Sequence, residues 1–184
     1  MPKIILLHGS LGCTSESFWL PSVKKELEKL GLPVIAKTFP ENQIAPMNVW
    51  MPFLKSLKPD EQTILIGHSS GAILAMRYAE THKLLGSVLV STYHTDLDDE
   101  DEKQSGYFTN PWNWKAIKDN QKWIVQFAST DDPFIPIEEA RFIHKKLQTD
   151  YHEYTDQGHF GLPIDKKEFP ELLTTIKKHL KASY

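Results

Sequence analysis

Short apolar runs alternate along this chain with segments in which apolar residues recur every three or four positions. The short runs predict strands at residues 3–7, 34–39, 63–67, 87–91, 123–128 and 151–155. The wider spacing predicts helices around residues 23–30, within 47–57, and over 72–81, 136–147 and 167–180. Pro52 is expected to confine the second helix to its later part, because proline disrupts a helix interior.

This regular alternation predicts an α/β fold. Repeated strand-helix units require a mostly parallel sheet, here of six strands, with helices on both faces. No flexible linker or internal repeat interrupts the pattern, so we expect one domain over residues 1–184. If the strand order is 2-1-3-4-5-6, the order reverses between the first and third strands. A ligand site is expected there, at the carboxyl ends of the strands.

The third strand runs directly into the segment T-I-L-I-G-H-S-S-G-A, which contains a G-x-S-x-G sequence centred on Ser69. A strand, a sharp turn and a helix in this order form a nucleophile elbow, which exposes a serine hydroxyl at the edge of the sheet. Gly67 and Gly71 remove Cβ atoms that would clash where the chain reverses. The segment therefore predicts a serine hydrolase with a compact α/β-hydrolase fold.

An oxyanion hole requires backbone N–H groups from the elbow and from the loop after the first strand. The elbow supplies Ser70, and the loop H-G-S-L-G supplies either Ser10 or Leu11. Sequence leaves the choice between these two open.

The base and acid are predicted from chain order, because α/β hydrolases place serine first, then the acid, then histidine. His159, between the last strand and the last helix, is the expected base. Asp132 is the expected acid, since it stands three residues before the pair Ile135-Pro136; Asp131 is the alternative, with an expected role in capping the turn. His8 and His68 lie near the site but out of order, so we expect packing or hydrogen-bonding roles for them.

The segment 92–121 is the only length of chain available for a lid, so the cap is expected to be minimal. Its aromatic residues either wall the pocket or belong to a helix that packs them into the core beside a solvated acidic loop. They are Tyr107, Phe108, Trp112 and Trp114. Its acidic residues would favour a substrate with a free α-ammonium if they lie near the pocket. They are Asp96, Asp98, Asp99, Glu100, Asp101 and Glu102.

Composition excludes several classes of function. The chain carries 21 Lys and Arg against 24 Asp and Glu with no basic block, so a nucleic-acid partner is not expected. Cys13 is the only cysteine, which excludes an internal disulfide and a cysteine-built zinc site and indicates a reducing compartment. No signal peptide or membrane span is predicted, so we expect a cytoplasmic protein.

Longer blocks of sequence carry a family resemblance. They include G-H-S-S-G-A-I-L-A-M-R-Y-A-E-T-H, S-G-Y-F-T-N-P-W-N-W, V-Q-F-A-S-T-D-D-P-F-I-P and T-D-Q-G-H-F. On these blocks the chain resembles small serine hydrolases of the retinoblastoma-binding protein 9 type, in the α/β-hydrolase superfamily. The resemblance implies a triad of Ser69, Asp132 and His159. It also implies esterase or aminopeptidase-type hydrolysis of small ester or amide substrates, or short peptides, without cofactor or metal.

One alternative function and one departure from the family's sequence accompany this interpretation. The chain could be a noncatalytic interaction module that retains the fold, although a binding surface gives no reason to keep all three triad groups. The loop H-G-S-L-G-C-T-S-E-S is also less glycine-rich than the family's, which leaves open the amide from that loop.

Retinoblastoma binding is not expected of this chain. The motif L-x-C-x-E that carries it corresponds to residues 57–61, where Pro59 replaces the cysteine and removes both a thiol and a backbone N–H. We predict no measurable calorimetric binding of a retinoblastoma pocket domain. Binding that disappears in Glu61→Ala would contradict this prediction.

Overall fold

The computed structural model describes residues 2–182 and contains one six-stranded sheet with the order β2-β1-β3-β4-β5-β6. Every neighbouring pair of strands is parallel. The strands are β1 (Lys3–Leu7), β2 (Val34–Ala36), β3 (Thr63–His68), β4 (Leu84–Val90), β5 (Gln121–Ser129) and β6 (Asp150–Tyr154). The predicted α/β architecture and the predicted strand order are therefore confirmed.

Helices connect the strands. Those described over residues 2–182 are α1 (Leu20–Lys29), α2 (Met47–Ser56), α3 (Ser70–Ala79), α4 (Glu100–Ser105), α5 (Trp114–Asp119), α6 (Ile137–Leu147) and α7 (Pro170–Ala182). None of them is long and apolar enough to cross a membrane.

Alternate residues of the inner strands bury opposite faces of the sheet. On β1, Ile5 and Leu7 join a core cluster that includes residues of α2, α3, α5 and α6. Ile4 and Leu6 join a second cluster, which contains residues of α1 and α7. Because successive side chains of a strand point to opposite faces, the unbroken apolar runs of the sequence are what a sheet covered on both sides requires.

Several local expectations differ from the structure. Strand β2 ends at Ala36 rather than at residue 39, and two helical features also differ. Helix α2 begins at Met47 and continues through Pro52, so proline does not confine the helix to its later part. Proline has no N–H, so Pro52 cannot make its backbone hydrogen bond within the helix. The helix is retained because Trp50 and Leu54 are fully buried against the core. The short helices α4 and α5 lie in the segment 92–121, for which the apolar pattern predicted no helix bounds.

The turn between β3 and α3 is the sharpest reversal near the sheet edge. Ser69 has φ 54° and ψ −122°, a left-handed backbone that is strained for a residue with a side chain. A Cβ on Gly67 would lie 2.4 Å from the carbonyl oxygen of Gly71, and a Cβ on Gly71 would lie 2.4 Å from that of Leu7. Both glycines are therefore required by close backbone contacts.

We predict that Gly71→Ala destabilises the protein by about 3 kcal/mol or more, because neither β1 nor the elbow can move to admit the methyl group. Gly31→Ala is the control. Gly31 has φ +77°, but a Cβ there would meet no heavy atom within 4 Å. The free energy of unfolding of Gly31→Ala should therefore fall by only about 1 kcal/mol. Urea unfolding of both variants measures the difference. Equal losses would contradict the role assigned to the close contact.

Candidate active site

A cavity of about 470 Å³ opens at the carboxyl ends of β1 and β3, where the strand order reverses. It is lined by the loop after β1, by the elbow, by the start of the segment 92–121, and by the loops after β5 and β6. Both Ser69 and His159 line it. The cavity therefore lies where the topology places ligand sites in open α/β sheets.

Ser69 is held at the tip of the elbow. Its backbone N–H donates to the Val90 carbonyl at 2.9 Å, and its own carbonyl accepts from the N–H groups of Ala72 and Ile73. The residue is only partly buried, in contrast to the fully buried strand that precedes it. The strained backbone thus presents the Ser69 side chain to the cavity.

His159 and Asp132 meet across the loops after β6 and β5. The His159 Nδ1 donates to Asp132 Oδ2 at 2.8 Å, and the two side chains are 10% and 3% exposed. The other carboxylate oxygen of Asp132 accepts from the N–H groups of Phe134 and Ile135 at 2.9 and 3.1 Å. With Nδ1 donating, the neutral imidazole leaves Nε2 unprotonated and able to accept a proton.

Asp131 has a different role, since it holds the loop that carries His159. Its Oδ1 accepts from the Gly158 N–H at 2.9 Å and from the Ser129 hydroxyl at 2.5 Å. Ser129 Oγ in turn accepts from the Gln157 N–H at 3.1 Å. The side-chain hydrogen bond from Ser129 lowers the pKa of Asp131, which keeps this carboxylate ionised. The capping function expected of Asp131 extends to a loop 27 residues away.

The two candidate amides in the first loop differ in their partners. The Leu11 N–H donates to the Gln43 carbonyl at 3.0 Å, so it is already engaged. That observation favours Ser10 over Leu11 as the first-loop donor. Ser70 is the first residue of α3, and N–H groups in the first turn of a helix have no intrahelical acceptor.

One wall of the cavity is acidic. Asp99, Asp101 and Glu102 line it, and Asp99 caps the start of α4 by accepting from the N–H groups of the other two. The buried Tyr93 donates its hydroxyl to Glu102 Oε1 at 2.8 Å and lies 3.5 Å from Ser70 Oγ. Burial, together with the neighbouring aspartates, raises the pKa of Glu102 to about 7. Three of the six acidic residues of this segment therefore belong to the pocket.

Exposed apolar side chains also line the cavity. Leu11, Phe134 and Leu162 line the cavity and are 60%, 47% and 43% exposed. Exposed apolar side chains gathered at a cavity mouth indicate contact with an apolar ligand group.

The aromatic residues of the cap lie elsewhere. Trp112 donates its Nε1 to the His94 carbonyl at 2.8 Å and packs under the Arg77 guanidinium at 3.6 Å. Tyr107 belongs to the buried core, with Phe108, Trp112 and Trp114 packed against that core, and none of the four lines the cavity. Of the two alternatives for these residues, core packing is correct.

His8 fixes the position of the first loop. Its Nε2 accepts from the Phe39 N–H at 2.8 Å, which places the proton on Nδ1, where it donates to the Gly9 carbonyl at 2.8 Å. Burial lowers the pKa of His8 and keeps it neutral. As expected, it is a hydrogen-bonding neighbour of the site. Among residues 2–182, no group of three or more His, Cys, Asp or Glu side chains is arranged to hold a metal ion.

A doubly covered parallel sheet with a serine elbow at its switch point defines an α/β hydrolase. The sequence model of the serine hydrolase family matches residues 4–178, and this chain belongs to that family. It is 46% identical to serine hydrolase RBBP9 of Rattus norvegicus over 181 residues, which cover 97% of this chain and 95% of that relative.

Solved structures agree on the fold. The ydeN gene product of Bacillus subtilis superposes with a TM-score of 0.90 at 20% identity, covering 98% of this chain and all of that one. Mouse alpha/beta hydrolase domain-containing protein 10 gives a TM-score of 0.71 at 15% identity, over 100% of this chain and 91% of that one.

Sequence reasoning missed Tyr93, Ser129 and the loop-holding role of Asp131. Tyr93 follows β4 in a stretch without any motif, and its contact with Glu102 depends on how α4 folds back. The pairing of Ser129 with the loop after β6 is set by tertiary structure alone.

We predict that Asp132→Asn lowers kcat/KM by roughly 10³–10⁴-fold, because the amide would favour the wrong tautomer of His159. Asp131→Asn should cost much less, since the asparagine oxygen can still accept from the Gly158 N–H. Steady-state hydrolysis of a p-nitrophenyl ester by both variants checks the ranking. The reverse order would show that Asp131 is the acid.

Proposed function

We propose that the chain hydrolyses small esters or amides through a covalent acyl-enzyme on Ser69, with His159 as the base and Asp132 as its acid partner. The observation that carries the proposal is the 2.8 Å hydrogen bond between the largely buried Asp132 and the Nδ1 of His159, which lines the same cavity as Ser69. A base oriented by a third group beside an exposed nucleophile is the arrangement that nucleophilic catalysis requires.

In the acylation step, His159 Nε2 takes the Ser69 hydroxyl proton as Oγ attacks the substrate carbonyl. Asp132 stabilises the resulting imidazolium without accepting its proton. The N–H groups of Ser70 and Ser10 are the proposed donors to the oxyanion. Collapse of the tetrahedral intermediate breaks the bond to the alcohol or amine, which leaves with the proton from His159.

Deacylation repeats this sequence with water. The water oxygen attacks the acyl-Ser69 carbonyl while His159 removes a proton from the water. His159 then returns that proton to Ser69 Oγ. The products are a free acid and the regenerated hydroxyl. Ser69 and His159, which carry the covalent and proton-transfer steps, both line the cavity.

The proposed substrates carry a free α-amino group beside an apolar side chain. Glu102, Asp99 and Asp101 provide negative charge on one wall, which favours an ammonium group. Leu11 and Phe134 provide apolar contact at the mouth. Both features bear on the acyl part of the molecule, so aminoacyl esters and amides, or the amino ends of short peptides, match the cavity best.

We predict that Ser69→Ala abolishes covalent labelling by a fluorophosphonate probe and lowers turnover by several orders of magnitude. The fold should survive, because the lost hydroxyl lies on a partly exposed side chain. Thermal unfolding and in-gel labelling measure both properties. Undiminished turnover by protein free of contaminating hydrolase would contradict the assignment.

We also predict that an apolar aminoacyl ester is hydrolysed with a higher kcat/KM than its N-acetylated counterpart. Acetylation removes the positive charge but leaves the scissile bond unchanged. The preference should increase from pH 6 to about pH 7.5, because Glu102, with a pKa of about 7, ionises over this range. Most of the substrate α-ammonium remains protonated up to about pH 7.5, as its ordinary pKa is about 7.7–8.0.

Glu102→Gln is the matched control for this preference. It keeps an acceptor for the Tyr93 hydroxyl but removes the titrating charge, so the ratio of the two kcat/KM values should be smaller and flatter with pH. Both substrates use the triad, so a change in the triad alters both kcat/KM values alike and cancels in their ratio. Equal or faster hydrolysis of the acetylated ester by the unmodified protein would exclude ammonium recognition without affecting the triad.

A further inference from the structure

His68 is a buried imidazole directly beneath the proposed base. It is 2% exposed, and its ring lies 5.0 Å from the His159 ring between centroids. Phe18 and Trp19 contact it edge-on at 5.8 and 5.9 Å. The proposed acylation and deacylation steps make no use of this side chain.

One hydrogen bond links His68 to the base. Its Nε2 lies 2.7 Å from the backbone carbonyl oxygen of His159. Because a carbonyl can only accept, the proton is on Nε2 and the imidazole donates. Burial, reinforced by the neighbouring His159, lowers the pKa of His68 to about 3, so the ring stays neutral.

The loop that carries His159 needs such support. Phe160, which follows His159, has a φ of 54°, and a left-handed residue that bears a side chain persists only where its surroundings hold it. The His159 N–H donates to the Leu162 carbonyl at 2.8 Å. Asp132 holds the ring, and His68 holds the remaining backbone group, the carbonyl.

We infer that His68 is a positioning residue, which sets the distance between base and nucleophile by binding the His159 carbonyl from the position next to Ser69. Because His68 and Ser69 are consecutive, this hydrogen bond ties the backbone that bears the base to the backbone that bears the nucleophile. The inference rests on the proposed roles of Ser69 and His159. A neutral donor is required here, since a second imidazolium would repel the one that forms on His159 during acyl transfer.

The test compares His68→Phe, which keeps a ring but loses the donor, with His68→Gln, which restores an N–H at similar reach. His68→Phe should lower kcat for a p-nitrophenyl ester about 10–100-fold with KM within about twofold, because a small misplacement of the base affects the transition state. His68→Gln should recover kcat to within about threefold. His152→Phe is the control. It alters an imidazole of β6 that stacks on Phe127 of β5, and its kcat should match that of the unmodified protein.

Unchanged kcat in His68→Phe would overturn the inference, as would equal impairment of the Gln and Phe variants at equal thermal stability. If His68→Phe does not fold, ¹⁵N NMR of histidine-labelled unmodified protein decides: an Nε2–H tautomer supports the inference, and an Nδ1–H tautomer or an imidazolium overturns it.

His159→Asn separates the positioning role of His68 from the proposed role of His159 as base. Retained turnover in that variant would remove the proposed base, whereas its inactivity beside a fully active His68→Phe would remove only the positioning role.

Discussion

The contact between the first turn of α3 and the end of β1 is the constraint on which the rest of the site depends. With no Cβ on Gly71, this turn approaches the carbonyls of Leu7 and His8 to a separation that any larger residue would prevent. The contact brings the loop after β1 against the elbow, so that a Cβ on Gly9 would lie 3.3 Å from that of Ser69. Ser69 and the first-loop amides are thereby placed at one cavity.

Around this contact, hydrogen bonds to polar side chains hold the loops of the site. The Asp131 carboxylate and the Ser129 hydroxyl hold the loop after β6, and Asp132 holds the His159 ring. His8 and His68, both kept neutral by burial, bind backbone groups of the loop after β2 and of the same loop after β6, respectively. Loops with left-handed residues such as Phe160 can be precise only when their backbone groups are bound in this way.

Much of this could be predicted from sequence, for physical reasons. Apolar runs on both faces and regular helix spacing determine a parallel sheet, and the glycines around Ser69 mark a turn that only glycine permits. Chain order pointed to Asp132 and His159, which the structure brings into contact. All of these signals are local or depend on connectivity.

Contacts between distant loops could not be predicted in the same way. The engagement of the Leu11 N–H by Gln43, the bond from Tyr93 to Glu102 and the burial of Trp112 away from the cavity all depend on how separate segments pack. Pro52 lies inside α2 because burial of Trp50 and Leu54 outweighs the local cost of proline. Tertiary packing overrode a local preference in this helix.

Acyl transfer is proposed to pass through a covalent intermediate on Ser69. The protein is mixed rapidly with an apolar aminoacyl p-nitrophenyl ester and quenched with acid. Peptide mass spectrometry then detects the acyl-enzyme. A transient adduct with the mass of the acyl group should appear on the peptide that contains Ser69, and it should decay as the free acid forms. Turnover accompanied by an adduct on another residue would contradict the account.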